Sequence, residues 1–260
     1  MEAGYLEAIS SDLQEVQAKL SRHYKLRSGT AEKYAHIKLS LLDQYLRPAL
    51  VLLFSRLFGN NGKKAIYLAT IVQLIFISSN IHAQIPDEDV DKNMLHQIDP
   101  RDGTQLPVLV GDYLYGKFFS LLCEGNILEN LKPLSDIICI MNEGAISRIQ
   151  NEQCEVDFTA RLEDIRCETA ELIAGACRLG SKLGQADQEE EEIATRFGLS
   201  LGMGFGLIER GYSPKLVHQY QQDALRELAK LNDSAPVRAL ESLTNAMFGS
   251  DTGKLQWMVG

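Results

Sequence analysis

The apolar residues of this chain of 260 residues recur at helical spacing along nearly its whole length. Near the beginning, five of them are separated by steps of three or four residues, which places them on one face of a helix. They are Leu6, Ile9, Leu13, Val16 and Leu20. The same pattern predicts further helices at about 47–58, 63–85, 105–124, 126–153, 159–186, 188–209, 214–231 and 236–248. The sequence lacks the sustained period-two alternation that is typical of strands. We therefore predict an all-α fold in a single helical domain, residues 1–260.

Proline and glycine mark the boundaries between these predicted helices. Pro48 lies near the start of a strongly apolar helix, where its missing N–H costs little. Residues 59–62, with the sequence GNNG, supply the next turn. Pro86 ends the following helix, and the polar residues 87–103 are predicted to form a loop.

Three glycines, Gly198, Gly202 and Gly206, recur at intervals of four within one predicted helix. A glycine in a helix interior costs about 1 kcal/mol relative to alanine, so this repetition indicates a compensating gain. Close approach of a neighbouring helix supplies such a gain, and so does the need for an open channel along that face. On these residues alone close packing is the better explanation, and both remain open.

The balance of charges and the apolar runs argue against some classes of function. The chain has 26 Lys and Arg against 35 Asp and Glu, a formal net charge of −9. We therefore expect no nucleic-acid partner, since affinity for phosphates rests on basic residues. The longest apolar run, residues 65–77, is shorter than the roughly 20 residues that cross a bilayer, so we expect no membrane span. No signal peptide is visible, and we expect a cytoplasmic location.

The five cysteines are odd in number and form no CxxC pair. This arrangement argues against a disulfide framework and against a zinc site, so we expect buried free thiols. They are Cys123, Cys139, Cys154, Cys167 and Cys177.

Five segments, taken in chain order, resemble the trans-isoprenyl diphosphate synthases, which are also called polyprenyl synthetases. They are residues 46–53 (LRPALVLL), 74–91, 106–122 (LPVLVGDYLYGKFFSLL), 165–186 and 197–211. The resemblance implies a single domain of antiparallel helices around a central cavity, usually in a dimer. It also implies condensation of isopentenyl diphosphate with an allylic diphosphate, assisted by magnesium bound to two aspartate-rich motifs.

The sequence departs from the family at both metal-binding motifs. The first, DDxxD, aligns with residues 83–87 (AQIPD), which keep one carboxylate of three. The second aligns with residues 209–213 (ERGYS), where Arg210 stands in place of an anion. A cation at that position opposes magnesium by charge repulsion.

The groups that hold diphosphate in the family are changed as well. The GGKRxRP loop aligns with residues 42–48, and only Arg47 and Pro48 remain. A Lys-Thr pair aligns with Glu168 and Thr169, which replaces a cation by an anion.

We accordingly expect no catalytic residues and no resident cofactor. Arg47 and Arg101 are the predicted remnants of diphosphate binding. A displaced metal site at Asp87, Glu88 and Asp91 is the one arrangement that would hold magnesium, and a solvated acidic loop is its alternative.

By the same resemblance, two further groups of residues have predicted roles. An aromatic helix is assigned to the core, to a subunit interface, or to both: Tyr113, Tyr115, Phe118, Phe119 and Leu122. The cavity that the family implies would be lined by Gly198, Gly202 and Gly206.

Loss of charged groups on an intact scaffold resembles the small component, component 1, of heteromeric heptaprenyl diphosphate synthases. The leading hypothesis is thus a non-catalytic or regulatory subunit that docks on a catalytic polyprenyl diphosphate synthase subunit and shapes its elongation cavity. A homodimer is the alternative to this hetero-oligomer. The alternatives are a divergent active prenyltransferase and a helical protein that binds an isoprenoid or another lipid.

Overall fold

The computed structural model describes residues 6–26, 29–30, 39–59, 62–83, 105–151 and 157–249, and these contain ten α-helices. Their bounds are α1 Ser10–His23, α2 Leu41–Leu57, α3 Lys63–Ala83, α4 Gln105–Glu124, α5 Leu131–Asn151, α6 Phe158–Ile165, α7 Glu171–Leu183, α8 Gln188–Glu209, α9 Pro214–Leu228 and α10 Ala235–Phe248. Two antiparallel strands of two residues each, β1 (Lys25–Leu26) and β2 (Gly29–Thr30), follow α1. The predicted all-α fold is confirmed.

The apolar helices α2 and α3 lie in the core. In α2 the five consecutive residues 50–54 each expose 1% or less of their surface. Because five successive residues point all round a helix, α2 is enclosed on every side. Helix α3 is long and apolar enough to cross a membrane by those criteria alone, but 72% of its most apolar window is buried in the protein. That degree of burial is usual for a core helix.

Side chains at the helix starts explain where α2 and α8 begin. Ser40 and Asp43 form a capping box at the start of α2, in which each side chain accepts a hydrogen bond from the other residue's backbone N–H. Asp187 and Glu190 do the same at the start of α8. The carboxylates after Asp187 also face the positive end of the helix dipole.

Helix α7 is packed between α2 and α8, and glycine provides the close approach on both sides. A Cβ atom added at Gly180 would lie 2.7 Å from the carbonyl oxygen of Val51 on α2. A Cβ atom added at Gly202 on α8 would lie 2.5 Å from the Cα atom of Ala170. These distances are below van der Waals contact, so any side chain there would push the helices apart.

The glycine series of α8 therefore makes a helix–helix contact. A Cβ atom added at Gly198 would lie 2.6 Å from the Cα atom of Ala174, and one added at Gly206 would lie 2.6 Å from Cγ2 of Ile165. This geometry corrects the assignment of Gly198, Gly202 and Gly206 to the wall of a cavity. The face that they form is filled by α7 and the residues before it.

A turn of π-helix, Arg166–Ala170, interrupts the helix predicted over 159–186. It joins α6 to α7 and lies directly beneath the C-terminal part of α8. A π-turn inserts one extra residue into the helical path and changes which side chains face a neighbour. No spacing in the sequence indicates it.

Two of the cysteines differ from the prediction of buried thiols. Cys123 on α4 and Cys139 on α5 are exposed, whereas Cys167 and Cys177 are buried, and all four are free. Burial raises the pKa of Cys167 to about 11 and that of Cys177 well above its usual value. Cys154 lies outside the described residues.

We predict that Gly202→Ala lowers the free energy of unfolding by about 1 to 3 kcal/mol, because the added methyl group collides with the backbone of Ala170. Urea denaturation would measure the change. Gly116→Ala is the matched control, since its Cβ would meet nothing within 4 Å. It should stabilise α4 by up to about 1 kcal/mol. Equal effects of the two substitutions would contradict the packing argument.

Candidate functional site

Arg47 is enclosed by the protein near the start of α2. The residue exposes 2% of its surface. The centre of its guanidinium group lies 3.4 Å from the centroid of the Phe76 ring and 5.8 Å from that of Phe205. Stacking on an aromatic face stabilises a guanidinium cation. The Arg47 guanidinium is therefore bounded by rings from α3 and α8.

The polar atoms around Arg47 are close together but incompletely paired. The Nη1 atom is 3.9 Å from Oδ1 of Asp43, which is beyond hydrogen-bond distance. These two atoms, together with Nε of Arg47 and Oε1 of Gln73, are buried without a hydrogen-bond partner in the described structure. Gln73 is held from its other side, where Nε2 donates to the backbone oxygen of Asp43 at 2.8 Å.

Burial lowers the pKa of Arg47 to about 10, while the carboxylates of Asp43 and Glu209 oppose the shift. Arg47 stays charged at neutral pH in spite of this. Glu209, the last residue of α8, is the counterpart: desolvation raises the pKa of its carboxyl, and Arg47 opposes the rise.

A second polar group lies at the same end of α8. The carboxylate of Glu168, in the π-turn, accepts hydrogen bonds from Nε of Arg148 at 2.9 Å and from Nη2 of Arg210 at 3.3 Å. Arg148 comes from α5, and Arg210 directly follows Glu209, the last residue of α8. The three side chains expose 19%, 35% and 30% of their surface, in the order Glu168, Arg148, Arg210. We call these three residues the Glu168 triad.

The segment that aligns with the second aspartate motif is a helix end. Helix α8 stops at Glu209, and Gly211 has the left-handed φ of 70° that closes many helix C-termini. The backbone N–H of Tyr212 donates to the carbonyl of Leu207 at 2.9 Å, which completes this cap. Carboxylates at helical spacing across 209–213 are therefore ruled out by backbone as well as by sequence.

These residues do not fit magnesium. Magnesium requires several hard oxygen ligands in octahedral geometry, and the segment offers only the carboxylate of Glu209. Two cations, Arg47 and Arg210, are its electrostatic neighbours. Among the described residues, no group of three or more Asp, Glu, His or Cys could hold a metal ion. The predicted metal residues Asp87, Glu88 and Asp91 lie outside the described residues, as does Arg101.

The aromatic helix α4 divides between core and surface. Phe118 and Leu122 expose 1% and 0%, so these two are core residues and not interface residues. Tyr113 and Tyr115 are half-buried, and the hydroxyl of Tyr115 lies 3.4 Å from Oγ of Ser79 on α3. Of the five residues predicted for an interface, Phe119 is the exposed one, at 53%.

The outward face of α4 contains residues that sequence reasoning missed. Leu109 is 63% exposed and lies on the same side as Asp112, Gly116, Phe119 and Cys123. The spacing of these residues by three or four could have identified this face of α4. The prediction instead followed the aromatic residues of the helix, most of which are buried or half-buried. We call these five residues the α4 face.

A model of the protein family described as polyprenyl synthetase matches residues 34–209 of the chain. The chain is 29% identical over 177 residues to a geranylgeranyl diphosphate synthase of Methanosarcina mazei, covering 63% of this chain and 52% of that protein. It is 24% identical over 209 residues to the octaprenyl diphosphate synthase of Escherichia coli, covering 80% of this chain and 60% of that protein. It thus spans about half to two-thirds of the length of such relatives.

The fold resembles those of solved polyprenyl synthases. A Caulobacter crescentus polyprenyl synthase, crystallised with calcium and isoprenyl diphosphate, superposes with a TM-score of 0.79 at 18% identity, over 94% of this chain and 96% of that one. A Staphylococcus aureus heptaprenyl diphosphate synthase gives 0.77 at 16% identity, over 92% and 98%. At these identities the likeness concerns the fold alone.

We predict that Arg47→Met lowers the free energy of unfolding by about 3 kcal/mol, because it leaves the poorly solvated carboxylates of Asp43 and Glu209 without their cation. Asp43 keeps its capping bonds to Ser40 in this variant. Arg56→Met on the same helix is the matched control. It should lower stability by about 1 to 2 kcal/mol, since Arg56 donates to Asp12 at 2.7 Å and to the backbone of Ala8. Guanidinium denaturation of both variants measures the two losses, and a gain of stability in Arg47→Met would contradict the prediction.

Proposed function

The chain belongs to the polyprenyl synthetase family, and from that premise we propose that it is a non-catalytic subunit of a long-chain polyprenyl diphosphate synthase. In this role it docks on a catalytic subunit in the cytoplasm and shapes the cavity in which the isoprenoid chain grows. Its relatives are named as synthases. We propose that this chain has lost the charged groups that bind magnesium and diphosphate and has kept the helical scaffold.

The Glu168 triad is the observation that carries the proposal. In an active member of the family, the position of Arg210 would be anionic and would face magnesium, while that of Glu168 would be a diphosphate-binding lysine. Here both charges are reversed, and the two side chains pair with each other at 3.3 Å. The paired groups satisfy one another and present neither a metal ligand nor a free cation to substrate.

Arg47 supports the same conclusion. A diphosphate-binding arginine must bring its N–H donors to a charged ligand in reach of solvent. The guanidinium of Arg47 is instead 2% exposed, stacked on Phe76, and flanked electrostatically by Asp43 and Glu209. Two carboxylates and one guanidinium sum to a net negative charge, which repels a further anion.

The α4 face is the surface that we propose for docking on the catalytic subunit. It presents Leu109 and Phe119, which are 63% and 53% exposed, on one side of a helix whose other side is packed on α3. Apolar and aromatic side chains of this kind occupy the centres of subunit interfaces. The sequence resemblance implies that this helix lies near the family's dimer interface, and this expectation supports the choice of the α4 face.

Reconstitution tests the proposal. The purified chain, the synthase subunit encoded in the same organism, and their mixture would each be assayed with magnesium, isopentenyl diphosphate and an allylic diphosphate. We expect no turnover by this chain alone, and a change in rate or in product length on mixing. No change on mixing would contradict the proposed role.

The same assay decides the alternative of a catalytically active chain. Turnover by this chain alone, abolished by Asp87→Ala and Asp91→Ala, would establish an active prenyltransferase and overturn the proposal. Both positions lie outside the described residues, so the distinction rests on activity.

We further predict that Phe119→Glu weakens docking at least tenfold, because it places a charge at the centre of the α4 face. Phe158→Glu is the matched control, since Phe158 is 49% exposed and lies on α6, outside that face. Titration of the partner followed by analytical ultracentrifugation measures both affinities.

Cys123 provides an independent reporter of docking. It lies on the α4 face and is exposed, so a thiol reagent should modify it more slowly in the complex than in the free chain. Unchanged labelling of Cys123 together with unchanged binding of Phe119→Glu would place the partner on another surface.

A further inference from the structure

The end of α1 and the neighbouring flank of α4 bring together cations from separate elements. Arg22 lies in the last turn of α1 and Lys25 in β1, and both residues are exposed. The hydroxyl of Tyr113 on α4 donates to the backbone oxygen of Lys25 at 3.3 Å, which joins β1 to α4. One turn further along α4, Nζ of Lys117 lies 5.2 Å from the centroid of the Tyr113 ring. We call Lys19, Arg22, Lys25 and Lys117 the basic edge.

His23 lies among these cations, and its pKa reflects them. Desolvation lowers the pKa of the imidazole, and the carboxylate of Glu124 opposes the shift. Three cations lower the pKa further: Lys117, Lys19 and Arg22. These groups from α1 and α4 are therefore within electrostatic range of one side chain.

The chain compensates the charges of the basic edge only in part. Nζ of Lys19 is 3.8 Å from a carboxylate oxygen of Glu15, which is near the limit for an ion pair. Within the described ranges, Arg22, Lys25 and Lys117 make no ion pair with a carboxylate. The dipole of α1 favours Arg22 at the C-terminal end of that helix, but it does not account for Lys117 on another helix. The basic edge is thus a positive region on a chain of formal net charge −9.

The basic edge adjoins the α4 face. Lys117 directly follows Gly116 of that face and lies about 100° further round the helix. Its proximity to His23 places it on the flank of α4 that is next to α1. An interface of ordinary size buries about 800 Å² on each partner, which is more than one helix face provides. A partner that covers Phe119 therefore also extends over adjoining surface such as the basic edge.

Given the proposed function, on which this inference rests, we propose that the catalytic subunit presents carboxylates to the basic edge, beside the apolar surface that covers the α4 face. Exposed charges at the border of an interface steer two proteins together and act mainly on the association rate. Salt screens such solvated charges over about 8 Å at physiological ionic strength. Docking should therefore be faster at low salt than at high salt.

Charge reversal at the two exposed cations of the edge is the direct test. Arg22→Glu/Lys25→Glu should slow association with the synthase subunit encoded in the same organism about tenfold or more at low salt, and should leave the dissociation rate within about threefold of the native value. Stopped-flow fluorescence measures association, and dilution of the preformed complex measures dissociation. The association rate of the native chain should fall about tenfold between low and high salt, and that of the variant should fall less.

Arg161→Glu/Lys215→Glu is the matched control for the change in net charge. Both residues are exposed and lie on α6 and α9, away from the basic edge. An equal loss of association rate in this control would overturn the proposal, and so would an association rate of the native chain that does not depend on salt.

Lys117→Gln gives a second measurement that does not depend on the folding of the double variant. It removes one charge of the edge from α4 and should slow association about threefold. Association at the native rate would overturn the proposal.

Two further outcomes separate this inference from the proposed function. If the native chain does not associate with the subunit at any ionic strength, docking itself is contradicted and both proposals fall. If the native chain and Arg22→Glu/Lys25→Glu associate equally fast, while only the native chain binds vesicles of phosphatidylglycerol, the basic edge binds a membrane surface. That result would overturn the present inference and leave the proposed function intact.

Discussion

The contact between α8 and the helix before it is the constraint on which the rest of this structure depends. Gly198, Gly202 and Gly206 lie on one face of α8, four residues apart, and added side chains there would collide with the facing residues. The next position in the series is Arg210, which therefore lies on that same face, over the π-turn. This packing brings its guanidinium group to the side of Glu168, where the two side chains are paired at 3.3 Å. The contact between Arg210 and Glu168 thus depends on the close approach of two backbones.

Electrostatics at this end of the bundle follows from that packing. Helix α8 ends at Glu209, and Arg210 follows it. Each of these residues interacts with a different buried or half-buried group: Glu209 with Arg47, Arg210 with Glu168. Charges in a poorly solvated setting must be compensated nearby. The chain does this with its own residues, whereas an enzyme that handles diphosphate leaves part of the compensation to substrate and metal.

The helices could be predicted from the sequence because their signal is local and repeated. The predicted span 105–124 coincides with α4, and 188–209 coincides with α8. Features that depend on tertiary contacts were not predictable in this way. Helical periodicity cannot show a π-turn, and a glycine series is compatible with packing or with a channel until the facing residue is known. The aromatic residues of α4 were assigned by composition. Composition cannot show that Phe118 points inwards and Phe119 outwards.

One part of the site could have been inferred earlier from charge alone. By the sequence resemblance, Glu168 and Arg210 each carry the charge opposite to that expected of the family at their positions. Two such reversals in one chain are unrelated if the residues are far apart, but they restore a pair if the residues are in contact. The structure shows the contact. Reversal in a pair keeps an attraction between the π-turn and the end of α8, and under the proposed function it removes the affinity of each position for magnesium or diphosphate. Stability and catalysis thus place different demands on the same two residues, and under the proposed function this chain meets only the first.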